Sequence, residues 1–404
     1  MCWELPYPPN QGGRVDSWRR VEALHKQGVA IQLICWAYED LPPADMAVVL
    51  GTVDALRVIT IRRDIYFRLR KLVFLYRYPL MAAVRKLSFD EFRVVSHEVA
   101  MFSPELIFLD GIHGGVLGIS LSKNLSLPLV VRSHNIEHQY YRALYSSASG
   151  IRAKIKLGLS LLNLKRHEFN VLSKSSLFLD ISVADLKYWD TQGLKNGKWL
   201  PTFYSFGTRF ESPSKSNALA PKTPTYDICF LGNLNSPNNV EGIRWLIYEV
   251  FPIVISELQD VKLLLAGSNP NDDIKKMCKE VPGLYLHANP ADVNTVYRDS
   301  CVLVNPVLRG SGVNVKSIEM LLTGNQVVTT PQGVAGLPND ILDLFNVAST
   351  SILFAEKIIL SIKSKSQRNF EFLNSRMSAL DAFDINKGGK MLTDALEITL
   401  KIGK

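Results

Sequence analysis

The sequence predicts an α/β protein of two doubly wound, parallel-sheet domains, and three observations predict it. Short, nearly continuous runs of Val, Ile and Leu recur along all 404 residues, and helix-length segments separate them. A stretch without apolar periodicity, "SFGTRFESPSKSNALAPKTPTY" from Ser205 to Tyr226, divides the runs into two sets. Such runs mark parallel strands covered on both faces by crossover helices. A chain of 404 residues with 47% apolar content can build a core for each set.

In the first half the predicted strands are Val29 to Trp36, Leu106 to Gly111, Leu127 to His134 and Leu177 to Ser182. In the second half they are Asp227 to Asn233, Val261 to Ser268, Leu284 to Pro290, Cys301 to Val307 and Gln326 to Gly333. The boundaries that follow are a first domain over 1–204, a Ser/Pro-rich linker over 205–226 and a second domain over 227–368. A helical segment without a strand companion closes the chain over 369–404.

The net charge of +8 lies entirely in the first half, where residues 1–200 hold 26 Lys and Arg against 18 Asp and Glu. Arg62 to Lys86 carries eight basic residues against one acid, Asp64, interleaved with aromatic and aliphatic side chains. Ile151 to Arg166 carries five and no acid. Two readings stand: a solvated basic face on an amphipathic helix, or peripheral contact with an anionic membrane. Nucleic acid is not expected as a partner, because no recognition-helix, RNP or zinc-finger pattern accompanies the charge.

Five cysteines without C-x-x-C spacing read as reduced core thiols. The start of the sequence lacks a basic, then apolar, signal pattern, and no uncharged apolar run reaches about 18 residues. A cytoplasmic location is expected, peripheral on the inner face of the cytoplasmic membrane if the basic segments dock there.

In open parallel sheets, ligands bind beyond the carboxyl ends of the strands. One such end is "NPVLRGSGVNVKSIEMLLTG", Asn305 to Gly324, where glycines precede a helix expected to open at Gly-Ser-Gly. Gly310 and Gly312 permit close backbone approach, and free amides, the helix dipole and Lys316 suit an anion. Glu319, three residues beyond Lys316, can accept from vicinal hydroxyls. Phosphates with a ribose make a nucleotide.

The segments "FLGNLNSPNNVEGIRWLIYEVFPIV", "LLLAGSNP" and "NPVLRGSGVNVKSIEMLLTGNQVVTTPQGVAGL" resemble, in order and spacing, the donor half of the GT-B glycosyltransferases of family 4. "PYPPNQGGR" and "VVRSHNIEHQYYR" resemble that family's first domain, so the likeness spans nearly the whole chain. It implies two facing Rossmann-like domains with a cleft between them, the first for acceptor, the second for a nucleoside diphosphate sugar, and a final helix crossing back. It also implies retention of anomeric configuration without a metal. No two aspartates are separated by a single residue, so a metal-holding D-x-D is missing.

The donor-binding set implied by the resemblance is Gly12, Gly13, Arg14, Gly232, Asn233, Arg309, Gly310, Ser311, Gly312, Lys316 and Glu319. Ser311 stands where many family members have a first motif glutamate. His113 and Asp110, beyond the strand in "LIFLDGIHGG", are the expected catalytic pair. Arg132, His134, Asn135 and Glu137 form an expected acceptor-side patch, with Asn135 alternatively a helix cap. His134 and His138 lack the H-E-x-x-H order and a nearby third ligand, so no zinc is expected. The Gly-Ser-Gly variant with a helix lysine resembles transferases of cell-envelope glycan or glycolipid synthesis, whose acceptors are lipid-linked or otherwise hydroxyl-bearing. A nucleotide-sugar 2-epimerase of the same fold and a non-catalytic sugar-nucleotide-binding subunit are the alternatives.

Overall fold

Every pairing among the described strands is parallel. The computed structural model describes all residues except 10–11, 39–41, 62–71, 149, 205–223, 311, 365–376 and 403–404. The chain divides into two compact units, Met1–Tyr204 with Asp381–Lys404, and Ser205–Leu380.

In the first unit β1 (Gln32–Ala37) pairs with β2 (Ala55–Thr60), while β3 (Ile107–Asp110), β4 (Leu129–Ser133), β5 (Leu177–Asp180) and β6 (Gly197–Trp199) lie side by side in that order. Cys2 bridges the two groups, pairing with Cys35 on one side and Asp110 on the other. The crossover segments are α1 (Gly12–Lys26), α2 (Pro43–Leu50), α3 (Leu80–Arg85), α4 (Phe89–Phe102), α5 (Gly115–Leu125), α6 (Glu137–Ser147), α7 (Ile151–Leu161), α8 (Leu164–Lys174) and α9 (Val183–Thr191).

The sheet is buried on both faces, which is why its strands read as unbroken apolar runs. Leu109, Val131 and Phe178 pack with Trp36, Leu121 and Trp189 in one core. Their neighbours Val130, Leu177 and Leu179 turn the other way, toward Ala23, Phe203 and Leu392.

The second unit has a six-stranded sheet in the order β12-β11-β10-β7-β8-β9. Its strands are β7 (Tyr226–Leu231), β8 (Leu263–Gly267), β9 (Leu284–Ala288), β10 (Ser300–Asn305), β11 (Gln326–Thr329) and β12 (Asn346–Val347). Its helices are α10 (Pro237–Trp245), α11 (Phe251–Glu257), α12 (Asp272–Glu280), α13 (Val293–Arg298), α14 (Val315–Leu321), α15 (Asn339–Leu342), α16 (Ser351–Lys363) and α17 (Met377–Leu380). A π turn, Leu246–Val250, joins α10 to α11 just before Pro252, whose missing N–H cannot continue the α ladder. The last helix, α18 (Ile385–Ile402), belongs to the first unit, where a Cβ on Gly389 would stand 3.2 Å from that of Ala23 in α1.

Several expectations need correction. Strand β7 begins at Tyr226, inside the stretch expected as linker, and 205–223 lie outside the described residues. β2 is a strand the apolar runs missed, because Arg57 interrupts it and its side chains are only half-buried. β6 and β12 are too short to leave a run. Ile151 to Arg166 is two helices, broken at Leu162 and at Asn163, whose φ of 58° is left-handed. Of the other basic segment, 62–71 lie outside the described residues, and Arg85 is buried rather than solvated.

Candidate functional site

In the second unit, β10 ends at Asn305 and α14 opens only at Val315, not at Gly-Ser-Gly. Lys316 therefore sits in the first turn of a seven-residue helix whose dipole is small, and the anion-binding expectation shifts onto the loop and the lysine itself. Gly312 takes φ 75°, a conformation that favours glycine, while Ser311 lies outside the described residues.

A buried polar lock fixes this helix to the strand ends. Asn305 Nδ2 donates to Ser317 Oγ at 2.8 Å, and Ser317 Oγ donates to the Gly333 carbonyl at 2.6 Å. Thr329 Oγ1 donates to the Asn305 carbonyl at 3.0 Å, and Thr330 Oγ1 to that of Val307. With these bonds made, the start of α14 is held to the carboxyl ends of β10 and β11.

Lys316 is the group so positioned. Its Nζ lies 3.4 Å from Asn239 Oδ1 and 4.2 Å from the Phe230 ring centroid. Burial pushes its ammonium down to about 7, against the opposing pull of Glu319. A side chain at Gly232 would place Cβ 3.3 Å from that Nζ and 3.1 Å from Asn239 Nδ2. Asn239 is itself held by the Asn233 carbonyl at 2.9 Å. Gly267, at φ 145°, would bring a Cβ to 1.6 Å from the Gly232 carbonyl oxygen, so the exits of β7 and β8 touch through backbone alone.

In the first unit a different charge cluster occupies the carboxyl ends of β3 and β4. Arg20 of α1 binds both oxygens of Asp110, at 2.7 and 2.8 Å, and also donates to Asp16. His134 brings Nε2 to 2.7 Å from Asp110 and Nδ1 to 3.4 Å from Asp16. Arg132 stands 3.5 Å from Asp16 and donates to the Leu200 carbonyl. Burial alone would raise the Asp110 carboxyl, but Arg20 and then His134 hold it well below the usual carboxylate range.

His113 stacks on Trp3 with ring centroids 5.0 Å apart, its Nδ1 buried without a partner. Burial, reinforced by Arg85, pushes its imidazole down to about 3, so it is neutral at physiological pH. Glu137 is pushed up to about 8 by burial and then by Glu168. Asp180, at the end of β5, is pushed up to about 7 by burial and then by Asp185.

Residues 225–362 match the family model described as "Glycosyl transferases group 1". The chain carries a group 1 glycosyltransferase domain. A 44.6 kDa protein in the cps region of Klebsiella pneumoniae is 26% identical over 370 residues, 88% of each chain. The solved structure of Anabaena HepE in complex with UDP superposes with a TM-score of 0.64 at 14% identity, covering 98% of both chains. Sucrose-phosphate synthase from Thermosynechococcus elongatus gives 0.63 at 13% identity, over 100% of this chain and 99% of that one. These structural likenesses establish the GT-B fold.

Of the residues expected in the glycosyltransferase's donor site, Gly232, Asn233 and Lys316 come together, with Glu319 on the same helix. Gly310 is tied through its carbonyl to Gln332 Nε2 at 3.0 Å. Arg309 instead makes an exposed ion pair with Glu241 at 3.3 Å. Gly12 and Gly13 open α1 rather than forming a loop, and Arg14 is neutralised by Glu4 at 2.8 Å.

Asp110 is already paired with Arg20 and His134, and these partners keep its carboxylate ionised. Of the acceptor-side residues, Arg132 and His134 join this cluster, while Asn135 and Glu137 do not. The first amides of α6, at Glu137 and His138, are capped not by Asn135 but by the Glu168 carboxylate, at 2.7 and 3.3 Å. Sequence reading missed Asn239, Phe230 and Gly267; the Asn-rich "SPNN" after β7 was the one available signal.

Proposed function

We propose that the enzyme transfers a sugar from a nucleoside diphosphate sugar to an acceptor hydroxyl, with retention and without a metal, in the building of a cell-surface polysaccharide. The observation that carries this reading is Lys316, a lysine with a depressed pKa held beside Gly232 and Asn239 within a group 1 glycosyltransferase domain. A diphosphate arriving there meets a cation already fixed in place, which lowers the reorganisation needed as negative charge builds on the leaving group. Glu319 takes the ribose hydroxyls. The first unit, with His113 neutral, receives the acceptor and hydrogen-bonds a hydroxyl.

Two comparisons support the reading. HepE was solved with UDP and with UDP-glucose, which favours a uridine nucleotide here. The Klebsiella relative from a cps region favours a surface polysaccharide. The exposed basic residues of α7 and the turn into α8 favour an acceptor at an anionic membrane surface.

The test is thermal stabilisation by UDP, GDP, dTDP, ADP and CMP, beside Glu319→Ala. A ligand at 100 times its Kd stabilises by about 2.7 kcal/mol. A shift from one diphosphate, lost in the variant, supports the donor site, and absence of any shift overturns it. Consumption of the matching nucleotide sugar only when a glycan acceptor is added separates transfer from epimerisation.

A further inference from the structure

Between α6, α8 and α9 of the first unit lies a groove of about 440 Å³, lined by His138, Gln139, Arg142, Ser146, Lys165 and Tyr188 among others. We propose that this groove binds a phosphate group carried by the acceptor. The proposal deepens the transferase reading, on which its naming of the acceptor rests.

The lining contains no carboxylate. Between Glu137 and Glu168, the stretch that supplies every lining residue but Tyr188, the sequence holds six Lys and Arg and no Asp or Glu. Arg142 of α6 and Lys165 of α8 form no ion pair with any described residue. Like charges that line one groove from separate helices repel each other, and a shared anion relieves that repulsion. A phosphate satisfies both and accepts further hydrogen bonds from Gln139 and Ser146.

Buried bonds hold the floor of the groove. Glu168 Oε2 lies 2.6 Å from His138 Nδ1, and His138 Nε2 lies 3.1 Å from the Tyr188 hydroxyl. Because Glu168 also caps the first amides of α6, the position of Tyr188 and the start of that helix are fixed by one carboxylate. The groove is thus supported from within, unlike a chance gathering of surface lysines. Beside it, Ile151, Ile155 and Leu159 of α7 are exposed at helical spacing, with Arg152, Lys154 and Lys156 among them. An acceptor phosphate could therefore be lipid-borne or carried on a soluble glycan.

The experiment compares wild type, Arg142→Gln/Lys165→Gln, the neighbouring control Arg152→Gln/Lys154→Gln, and Lys316→Ala. Each full-length protein is titrated with inorganic pyrophosphate and sedimented with phosphatidylglycerol/phosphatidylcholine vesicles. All four exchanged basic side chains are exposed, so the fold survives their replacement. The groove variant is expected to lose one pyrophosphate site, weakened about tenfold or more, while the site lost in Lys316→Ala persists. An accompanying loss of vesicle binding beyond that of the control assigns the phosphate to a lipid; loss of pyrophosphate alone assigns it to a soluble acceptor. Equal losses in groove and control variants, or none in the groove variant, overturn the proposal. Failure at the donor site shows only in Lys316→Ala, so the two readings fail separately.

Discussion

The two units each gather charge at the carboxyl ends of parallel strands, yet they treat it in opposite ways. Around Asp110 the formal charges are matched within the protein: Arg20 lies between two carboxylates and Arg132 beside one of them, with the His134 ring nitrogens facing the same two. Around Lys316 the ammonium meets the neutral Asn239 amide at 3.4 Å, and burial has lowered its affinity for its proton despite the opposing pull of Glu319. A matched cluster has little left to offer a ligand and serves to fix geometry. A half-buried cation whose burial outweighs the pull of the one carboxylate acting on it, Glu319, is further stabilised when an anion arrives.

The contrast can be broken most severely at Asp110. Asp110→Ala leaves Arg20 and His134 facing a void, and removal of one partner from a buried pair costs about 3–5 kcal/mol. Chemical denaturation should show the first unit melting earlier. Survival of full stability would mean that the cluster is not the fixed frame described above.

Next in size is Lys316→Ala. Loss of a charged hydrogen bond costs about 1.5–3 kcal/mol, so affinity for the recognised nucleoside diphosphate should fall roughly tenfold to more than a hundredfold with the melting temperature little changed. Calorimetric titration at pH 6.5 measures it.

The depressed lysine also predicts a pH dependence. The free enzyme loses the Lys316 proton through about 7, whereas a bound diphosphate raises the pKa. Affinity should therefore fall as pH rises above 7, at most about tenfold per unit, until the bound form also deprotonates. A flat profile between pH 6 and 9 would place the diphosphate elsewhere.

The smallest effect is a gain. Asp180 has a folded pKa of about 7 against an ordinary 3.8, so the folded protein keeps a proton that the unfolded chain releases between those values. Its contribution to stability falls as pH rises across that window, and the full penalty is felt above it. Asp180→Asn should raise the melting temperature at pH 8 and change little at pH 4.

Legibility in the sequence followed the range of the interactions. Strands β7, β8, β10 and β11 were readable because each is a local apolar run, whereas the helix start expected at Gly-Ser-Gly lies further on, at Val315. The fate of Asp110 was not, since its partner Arg20 lies 90 residues earlier in the chain. The cap on α6 was out of reach for the same reason: Asn135, the alternative cap, is adjacent, while Glu168 reaches in from 31 residues beyond Glu137. Asn239, which touches Lys316 across 77 residues, leaves only an unremarkable asparagine in the sequence.

The backbone contact between Gly232 and Gly267 bears on how such an enzyme could be re-engineered. A library that randomises every residue near Lys316 would spend most of its members on chains that cannot close the exits of β7 and β8, since any β-carbon at 267 overlaps a carbonyl oxygen. Diversity is better confined to Asn238, Arg309 and Gln332, exposed or half-buried side chains around Gly310 that no strand contact constrains. Variation there can alter what the loop recognises while the frame that carries the lysine is inherited unchanged.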